Sequence, residues 1–227
     1  MIISKEYIFD NNVFQLSDSL EVETKDIGIA NITIIDNFYK NIEEVLNEIE
    51  KLPMTLIYDE SDNNKNYFDA RKSYCSNMNG TEIPYQYNNQ LKKLVSQIIE
   101  YPSNLIGVNK NILVNCFKFT DKLDLQNNYY TIHVDSFIDR KSKGQLAIVI
   151  FLNENYEEGE GINFYEYKNY QDTLLTPKDC ATIIHSVQGK SNRAVLFDSQ
   201  MPHGQYTPTS QFKKEIRQTQ VIFIPTY

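Results

Sequence analysis

Hydrophobic positions recur along this chain with two different periods, and the change comes near Pro102. Upstream of Pro102, two segments carry apolar residues every three to four positions, which predicts two amphipathic helices. The first helix has Ile42, Val45, Leu46 and Ile49 on one face. The second helix lies within residues 88–101. Its apolar face consists of Leu91, Leu94, Val95, Ile98 and Ile99.

Local signals place the ends of these upstream elements. Asn41, three residues before Glu44, predicts an N-cap for the first helix, and Pro53 predicts a stop beyond its end. The β-branched run at 29–38 predicts a strand before that helix. Residues 58–80 are rich in Asn, Asp, Ser and Lys, and their apolar residues follow neither the three-to-four-residue spacing of a helix nor the alternation of a strand. They predict an irregular loop that could act as a lid.

Downstream of Pro102 the apolar runs become short, and turn-forming residues separate them. They predict seven strands, at residues 111–119, 129–135, 145–153, 162–167, 180–187, 193–198 and 217–224. Many short strands at this spacing favour a barrel or a double-sheet jelly roll. The two upstream helices would then brace one sheet. The predicted fold class is therefore α+β, mainly β.

Length and composition support one folded unit. The chain has 227 residues, of which 41% are hydrophobic, and its 16 Tyr and 12 Phe argue against disorder. We predict a single domain over residues 1–227. Within it, 1–105 supply a supporting strand and helices, and 106–227 form the β-rich core.

Charge and cysteine content exclude several classes of function. The net charge of −8 disfavours binding to nucleic acid or to an anionic membrane. The three cysteines, Cys75, Cys116 and Cys180, are too few and too far apart for a disulfide framework. The acidic residues near the N-terminus do not fit a signal peptide, and no apolar run reaches the length of a membrane span. These features predict a soluble, cytoplasmic protein.

The first candidate site is the pair His133 and Asp135 in the predicted strand 129–135. Side chains alternate between the two faces of a strand, so residues two apart point the same way. An imidazole and a carboxylate would therefore project together and could bind one ion. A lone histidine is more often structural, so the pair needs a third ligand from elsewhere in the chain.

Two other histidines are candidates for this third ligand. His203 follows the apolar strand 193–198, where a side chain at a strand end can reach the mouth of a barrel. His185 lies within the predicted strand 180–187 and fits a structural role better. We favour His203. Two histidines and one carboxylate form the facial triad of non-haem Fe(II) oxygenases, although zinc would accept the same ligands.

A second candidate site lies on the last predicted strand. Arg217 and Thr219 share one face of it, and Val221 and Phe223 continue that face inward. A buried guanidinium needs an anion, and its planar fork binds a carboxylate through two hydrogen bonds. Taken alone, Arg217 would equally fit an edge strand, paired there with an Asp or Glu side chain.

The ordered set His133-Val134-Asp135, His203 and Arg217-Gln218-Thr219 resembles the 2-oxoglutarate/Fe(II)-dependent dioxygenases. Further segments are similar to the prolyl-hydroxylase-like branch of that superfamily. They are the YxxHxD motif that starts at Tyr130, "IFLNENYEEGEGINFYEY", "NRAVLFDSQMPHG" and the opening "IIDNFYKNIEEV". Where that branch often carries tyrosines beside the site, this chain has Phe117, Phe119 and Phe151. The resemblance spans roughly residues 30–225.

The resemblance implies a double-stranded β-helix core of the jelly-roll or cupin-like type and an oxidoreductase activity. Fe(II) would bind His133, Asp135 and His203. The cosubstrate 2-oxoglutarate would bind Arg217 and Thr219. A carboxylate at 135, rather than Gly or Ala, favours oxygenation over halogenation. O2 would be consumed and a C–H bond oxidised, most simply by hydroxylation, with release of succinate and CO2.

The resemblance also suggests Tyr130 as a cosubstrate contact. Strand alternation, however, places Tyr130 on the face opposite His133. The segment 136–144 could form part of a lid together with residues 58–80.

The motifs do not identify the substrate. Arg71, Arg140 and Lys141 could bind a substrate carboxylate, although solvated surface charges are the simpler interpretation. We expect a small amino-acid-like metabolite, with a peptidyl side chain as the second choice. Two alternatives remain outside this chemistry: a cupin-like metal-binding protein without 2-oxoglutarate, and an interaction domain that has lost activity.

Overall fold

Two antiparallel sheets dominate the structure, with one hydrophobic core between them and another between the large sheet and the helices. The computed structural model describes residues 13–51, 55–56, 68–75, 85–108, 112–119, 132–135, 141–167, 181–206 and 211–227. The strands are β1 (Glu21–Asp26), β2 (Asn31–Asp36), β3 (Thr55–Leu56), β4 (Phe68–Cys75), β5 (Ile112–Phe119), β6 (Gly144–Phe151), β7 (Gly161–Tyr167), β8 (Ala181–Gln188), β9 (Ala194–Asp198), β10 (His203–Tyr206) and β11 (Arg217–Thr226).

The large sheet has eight strands in the order β1-β2-β9-β6-β11-β5-β4-β3, and the small sheet has the order β10-β7-β8. In the large sheet β11 lies between β6 and β5 and is antiparallel to both. In the small sheet β7 is antiparallel to β10 and β8. A single antiparallel bridge between His133 and His203 adds one more main-chain segment beside β10.

Helices cover one face of the large sheet. They are α1 (Ile42–Ile49) and α2 (Tyr85–Ile98). The short α3 (Gln211–Lys214) and a 3-10 helix at Ser103–Leu105 are the other helical segments of the described residues. The predicted apolar faces of α1 and α2 contact this sheet, because Val45 and Leu91 lie in one buried cluster with Ile148 and Ile222. None of the helices in the described part of the chain has the length and hydrophobicity to span a bilayer.

The other face of the large sheet packs against the small sheet. Alternate residues of β6 divide between the two sides: Ile148 contacts the helix layer, whereas Val149 and Phe151 belong to the core between the sheets. Ile162 and Phe164 of β7 complete that second core. Helices therefore brace the sheet from outside, as predicted, and leave its inner face for the site.

Most predicted elements are confirmed, with small shifts at their ends. The N-cap is present, since the Asn41 side chain accepts a hydrogen bond from the Glu44 N–H at 3.4 Å. The loop predicted over 58–80 is wrong for 68–75, which form β4. That strand lies beside the two-residue β3 near the sheet edge, where charged residues are tolerated.

Five further elements were not predicted: β1, β3, β10, α3 and the 3-10 helix. Of the predicted strand 129–135, the described part is 132–135, and it forms only the bridge at His133. The large sheet contains strands from both 1–105 and 106–227. That residues 1–227 act as one catalytic domain stays a prediction.

An ion pair fastens the end of β2 to the turn before β9, the strand that leads towards His203. Asp36 accepts hydrogen bonds from Arg193 at 2.6 and 2.9 Å and from Lys190 at 2.8 Å. The Arg193 bond is the largest cause that lowers the pKa of Asp36 to about 2. A lowered carboxyl pKa means that ionised Asp36 stabilises the folded state.

We expect Asp36→Asn to lower the free energy of unfolding at pH 7 by about 1–2 kcal/mol, allowing for solvent screening. The contribution of Asp36 is complete above the ordinary carboxyl pKa near 3.8 and is lost as the pH falls towards about 2. Urea unfolding at several pH values measures this. A difference between wild type and variant that is as large at pH 2.5 as at pH 7 would contradict the assignment.

Candidate active site

The structure brings His133, Asp135 and His203 together. One ligand-type atom from each residue lies within 4.8 Å of the others. His133 Nε2 is 3.7 Å from Asp135 Oδ1, and His203 Nε2 is 3.6 Å from Asp135 Oδ2. The two imidazole nitrogens thus converge on the same carboxylate, as they would around one ion.

Main-chain hydrogen bonds hold the three residues in place. The His133 N–H donates to the His203 carbonyl and the His203 N–H donates to the His133 carbonyl, both at 2.9 Å. The Asp135 N–H donates to the Ser199 carbonyl at 2.8 Å. The spacing of the two histidines is therefore set by an antiparallel backbone pair.

The environment of His203 favours a neutral imidazole with Nε2 free to bind a metal. Its Nδ1 lies 2.8 Å from the Met201 carbonyl, which only accepts hydrogen bonds, so Nδ1 carries the proton. Burial, reinforced by nearby His133, lowers the pKa of His203 to about 3. A metal ligand must be deprotonated in this way, and a partner on the other nitrogen fixes the ring orientation.

Arg217 is buried on the inner face of β11 with incomplete hydrogen bonding. Nη1 donates to Gln205 Oε1 at 3.3 Å and Nη2 donates to the Gly161 carbonyl at 3.2 Å. Its Nε has no hydrogen-bond partner among the residues that the structure describes. The guanidinium carbon lies 5.8 Å from the centre of the Phe151 ring. Thr219, two residues on and 2% exposed, shares this face.

The electrostatics of Arg217 fit an anion site. Burial lowers the pKa of its guanidinium, and Tyr156 and Glu160 oppose that effect. Among the residues whose side chains are described, none forms an ion pair with Arg217. A buried, charged guanidinium with an unused N–H donor suits the carboxylate of a ligand.

A close approach of β7 to β8 shapes the wall behind Arg217. A Cβ added at Gly161 would lie 2.0 Å from the Val187 carbonyl oxygen and 2.8 Å from the Gly189 nitrogen. Both are backbone atoms, which cannot move aside without shifting a strand. Gly161 therefore permits the strand spacing that places its own carbonyl against Arg217.

We expect Gly161→Ala to lower the free energy of unfolding by about 1–3 kcal/mol or more, because the added methyl overpacks the strand pair. Chemical denaturation measures the loss. Gly144→Ala is the matched control at another strand glycine, where the new Cβ meets only the Thr226 hydroxyl at 3.0 Å. Equal stabilities of the two variants would rule out the steric argument.

The remaining predicted site residues fall in different places. His185 lies in β8, outside the group formed by the other two histidines, and its structural role stays a prediction. Burial is the largest cause that lowers the pKa of His185. Tyr130 and Arg140 lie outside the described residues, as does the side chain of Arg71. Lys141 is exposed.

Gln205 and Gly161, the hydrogen-bond partners of Arg217, were not predicted from the sequence. Gln205 could have been found, because it stands two residues after His203 and must share its face once β10 is recognised as a strand. The role of Gly161 depends on the packing of two strands and has no local signal beyond the glycine itself.

Comparison with known protein families gives one match. Residues 119–220 match the family model for the 2OG-Fe(II) oxygenase superfamily. This range includes His133, Asp135, His203, Arg217 and Thr219. No curated protein sequence matches the chain significantly.

Solved structures with a similar fold include the epimerase SnoN in complex with Fe3+, alpha-ketoglutarate and nogalamycin RO. It has 11% sequence identity and a TM-score of 0.55, over 82% of this chain and 74% of that one. A Pseudomonas putida prolyl-4-hydroxylase has 14% identity and a TM-score of 0.47, over 82% and 84% of the two chains. A Trichoplax adhaerens prolyl hydroxylase has 17% identity and a TM-score of 0.46, over 86% and 83%.

These findings agree with one another. The two-sheet core is that of the double-stranded β-helix, in agreement with the predicted fold class. The family match covers the strands and segments that carry the candidate ligands. Two imidazoles and one carboxylate are the donors that a non-haem Fe(II) centre uses. The region that carries the candidate ligands is therefore similar to the 2OG-Fe(II) oxygenase superfamily, whose members are oxidoreductases that use Fe(II) and 2-oxoglutarate.

Proposed function

We propose that His133, Asp135 and His203 hold Fe(II), and that Arg217 with Thr219 holds the far carboxylate of 2-oxoglutarate. The observation that carries this assignment is the presence of a three-ligand cluster together with a buried guanidinium whose Nε makes no hydrogen bond within the described part of the chain. Gln205 links the two parts, since it follows His203 on β10 and accepts a hydrogen bond from Arg217.

Bound together, Fe(II) and 2-oxoglutarate supply the oxidation of a substrate C–H bond by O2, with release of succinate and CO2. The protein contributes position and environment. Asp135 supplies the negative charge of the ligand set. The Met201 carbonyl keeps the proton of the His203 ring on Nδ1, which leaves Nε2 to bind the metal. The ring of Phe197, with its centre 4.7 Å from that of His203, forms an apolar wall that excludes water.

For the substrate, we propose a small amino-acid-like metabolite that is hydroxylated at an unactivated carbon. Arg71 and Arg140 are proposed to bind its carboxylate, on the basis of their charge. The net charge of −8 supports a small-molecule substrate over a nucleic acid. A peptidyl side chain is the alternative that the substrate test decides.

The binding part of the proposal is tested without turnover. Under anaerobic conditions, Fe(II) and 2-oxoglutarate should together give the visible charge-transfer band of the chelate, which neither gives alone. A fully Fe(II)-loaded protein without such a band would contradict the proposed site.

The substrate part is tested by succinate release across a panel of free amino acids, related small acids and short peptides. Stimulation by a free amino acid, with equimolar formation of a hydroxylated product, is the expected result. Stimulation by peptides alone would replace the small-metabolite proposal with the peptidyl one.

A further inference from the structure

The side-chain amide of Asn153 brackets Arg217 through the main chain on both sides of it. Asn153 Nδ2 donates to the Ile216 carbonyl at 2.7 Å. Asn153 Oδ1 accepts from the Gln218 N–H, also at 2.7 Å. The residues directly before and after Arg217 are thus tied to one planar group.

This amide takes the place of a missing strand residue. The pairing of β6 with β11 runs from Gly144 opposite Thr226 to Phe151 opposite Thr219 and then stops. The Leu152 N–H still reaches the Gln218 carbonyl at 3.2 Å, but the chain then turns away from the sheet. The Asn153 side chain supplies the donor and the acceptor that a continuing strand would have supplied.

Tyr156 fixes the orientation of the Asn153 amide. Its hydroxyl accepts from the Asn153 N–H at 3.2 Å and donates to Asn153 Oδ1 at 3.3 Å. The ring of Tyr156 packs so closely on Gly189 that an added Cβ there would lie 2.4 Å from it. It also contacts Phe151 and Phe212 edge-on. We call the two hydrogen bonds from the Asn153 amide to the main chain on either side of Arg217 the Asn153 clamp. The clamp is therefore supported by a closely packed aromatic ring.

The guanidinium depends on this clamp because its own hydrogen bonds are long. Its two bonds, to Gln205 and to the Gly161 carbonyl, measure 3.3 and 3.2 Å, compared with 2.7 Å for each Asn153 bond. The position of the Arg217 guanidinium therefore depends mainly on the position of the Arg217 main chain. On one side, Arg217 is opposite Phe117 of β5. On the other side, beyond the last paired residue of β6, the Leu152 N–H and the Asn153 amide hold the residues next to Arg217.

We propose that Asn153 is a positioning residue for cosubstrate binding: it holds the Arg217 main chain so that the guanidinium meets the far carboxylate of 2-oxoglutarate. This proposal rests on the proposed function, in which Arg217 is the anchor. Asn153 itself does not touch the cosubstrate.

The test compares two 2-oxo acids. Both 2-oxoglutarate and 2-oxobutyrate present the same metal-chelating end, but 2-oxobutyrate lacks the far carboxylate. Dissociation constants are measured by calorimetry on Mn(II)-loaded protein, since Mn(II) accepts the same donors. We expect Asn153→Ala to weaken 2-oxoglutarate binding about 10-fold, from the loss of two hydrogen bonds. Binding of 2-oxobutyrate should change less than about twofold by the same reasoning.

A matched control exists elsewhere in the chain. Asn192 makes a similar two-bond clamp on Tyr39, through its Oδ1 to the Tyr39 N–H at 2.8 Å and its Nδ2 to the Tyr39 carbonyl at 2.9 Å. Because Asn192 has a φ of 60°, Asn192→Gly removes that clamp without backbone strain. It should lower stability but leave the affinity for both acids unchanged. Tyr156→Phe, which keeps the ring and removes the hydroxyl, is the milder second variant if Asn153→Ala does not fold.

The outcomes separate the two proposals. If Arg217→Ala weakens 2-oxoglutarate binding and the folded Asn153 and Tyr156 variants do not, the positioning role is overturned and the anchor stands. If Arg217→Ala leaves 2-oxoglutarate binding unchanged, Arg217 does not bind the far carboxylate and the proposed function itself is contradicted. Equal losses for both acids in Asn153→Ala indicate general damage to the site and also overturn the positioning role.

Discussion

Replacing Asp135 with alanine should weaken Fe(II) binding by more than about 100-fold, because changes to groups that merely support a metal ligand already cost 10- to 100-fold. Asp135 is the carboxylate on which both imidazoles converge, at 3.7 and 3.6 Å. Without it, His133 and His203 offer two neutral donors and no negative charge. Anaerobic titration with Fe(II) measures the affinity, and succinate formation should fall to background.

Two variants serve as controls for Asp135→Ala. Asp36→Asn removes a carboxylate of structural importance and should lower stability without changing Fe(II) affinity. His185→Ala removes the histidine that lies outside the cluster and should also leave Fe(II) binding intact. A folded Asp135→Ala protein that binds Fe(II) as tightly as the wild type would show that the ion binds elsewhere.

The second large effect concerns Arg217. Arg217→Ala should raise the dissociation constant of 2-oxoglutarate by about 30-fold or more, since loss of one partner from a buried charged pair costs about 2–5 kcal/mol. Arg217→Lys keeps the charge but loses the planar fork, so an intermediate loss is expected. Titration of the metal-loaded protein under anaerobic conditions gives the constants.

The same titration with 2-oxobutyrate tests the reason for this effect. That acid has no far carboxylate, so its affinity should be nearly the same in wild type and in Arg217→Ala. If both acids lost affinity equally in the variant, Arg217 would support the fold of the site and would not bind the carboxylate.

The fold could be predicted wherever local hydrophobic pattern and final burial coincide. The runs of β6, β9 and β11 are apolar because these strands are covered by the helices on one face and by the small sheet on the other. The elements that were missed lack such a pattern. β1 is exposed along most of its length at a sheet edge, so it needs no apolar face. β4 lies next to the two-residue edge strand β3.

The candidate site was predictable to a similar extent. Alternation along a strand correctly placed His133 beside Asp135 and Arg217 beside Thr219, because that rule needs only sequence spacing. The distance between those two pairs could not be derived from spacing alone. It depends on how β10 and β11 face each other across the core. For the same reason Asn153, whose amide completes a strand that has ended, has no signature in the sequence.

The backbone pair between His133 and His203 has a consequence for how the metal enters. In a zinc finger the ligands are scattered in the apo chain, so binding the metal is the folding reaction. Here two of the proposed ligands are joined by reciprocal main-chain hydrogen bonds. Metal uptake should therefore be a simple association. A chelator should remove the ion reversibly, with only the ligand-linked loss of thermal stability and no loss of secondary structure.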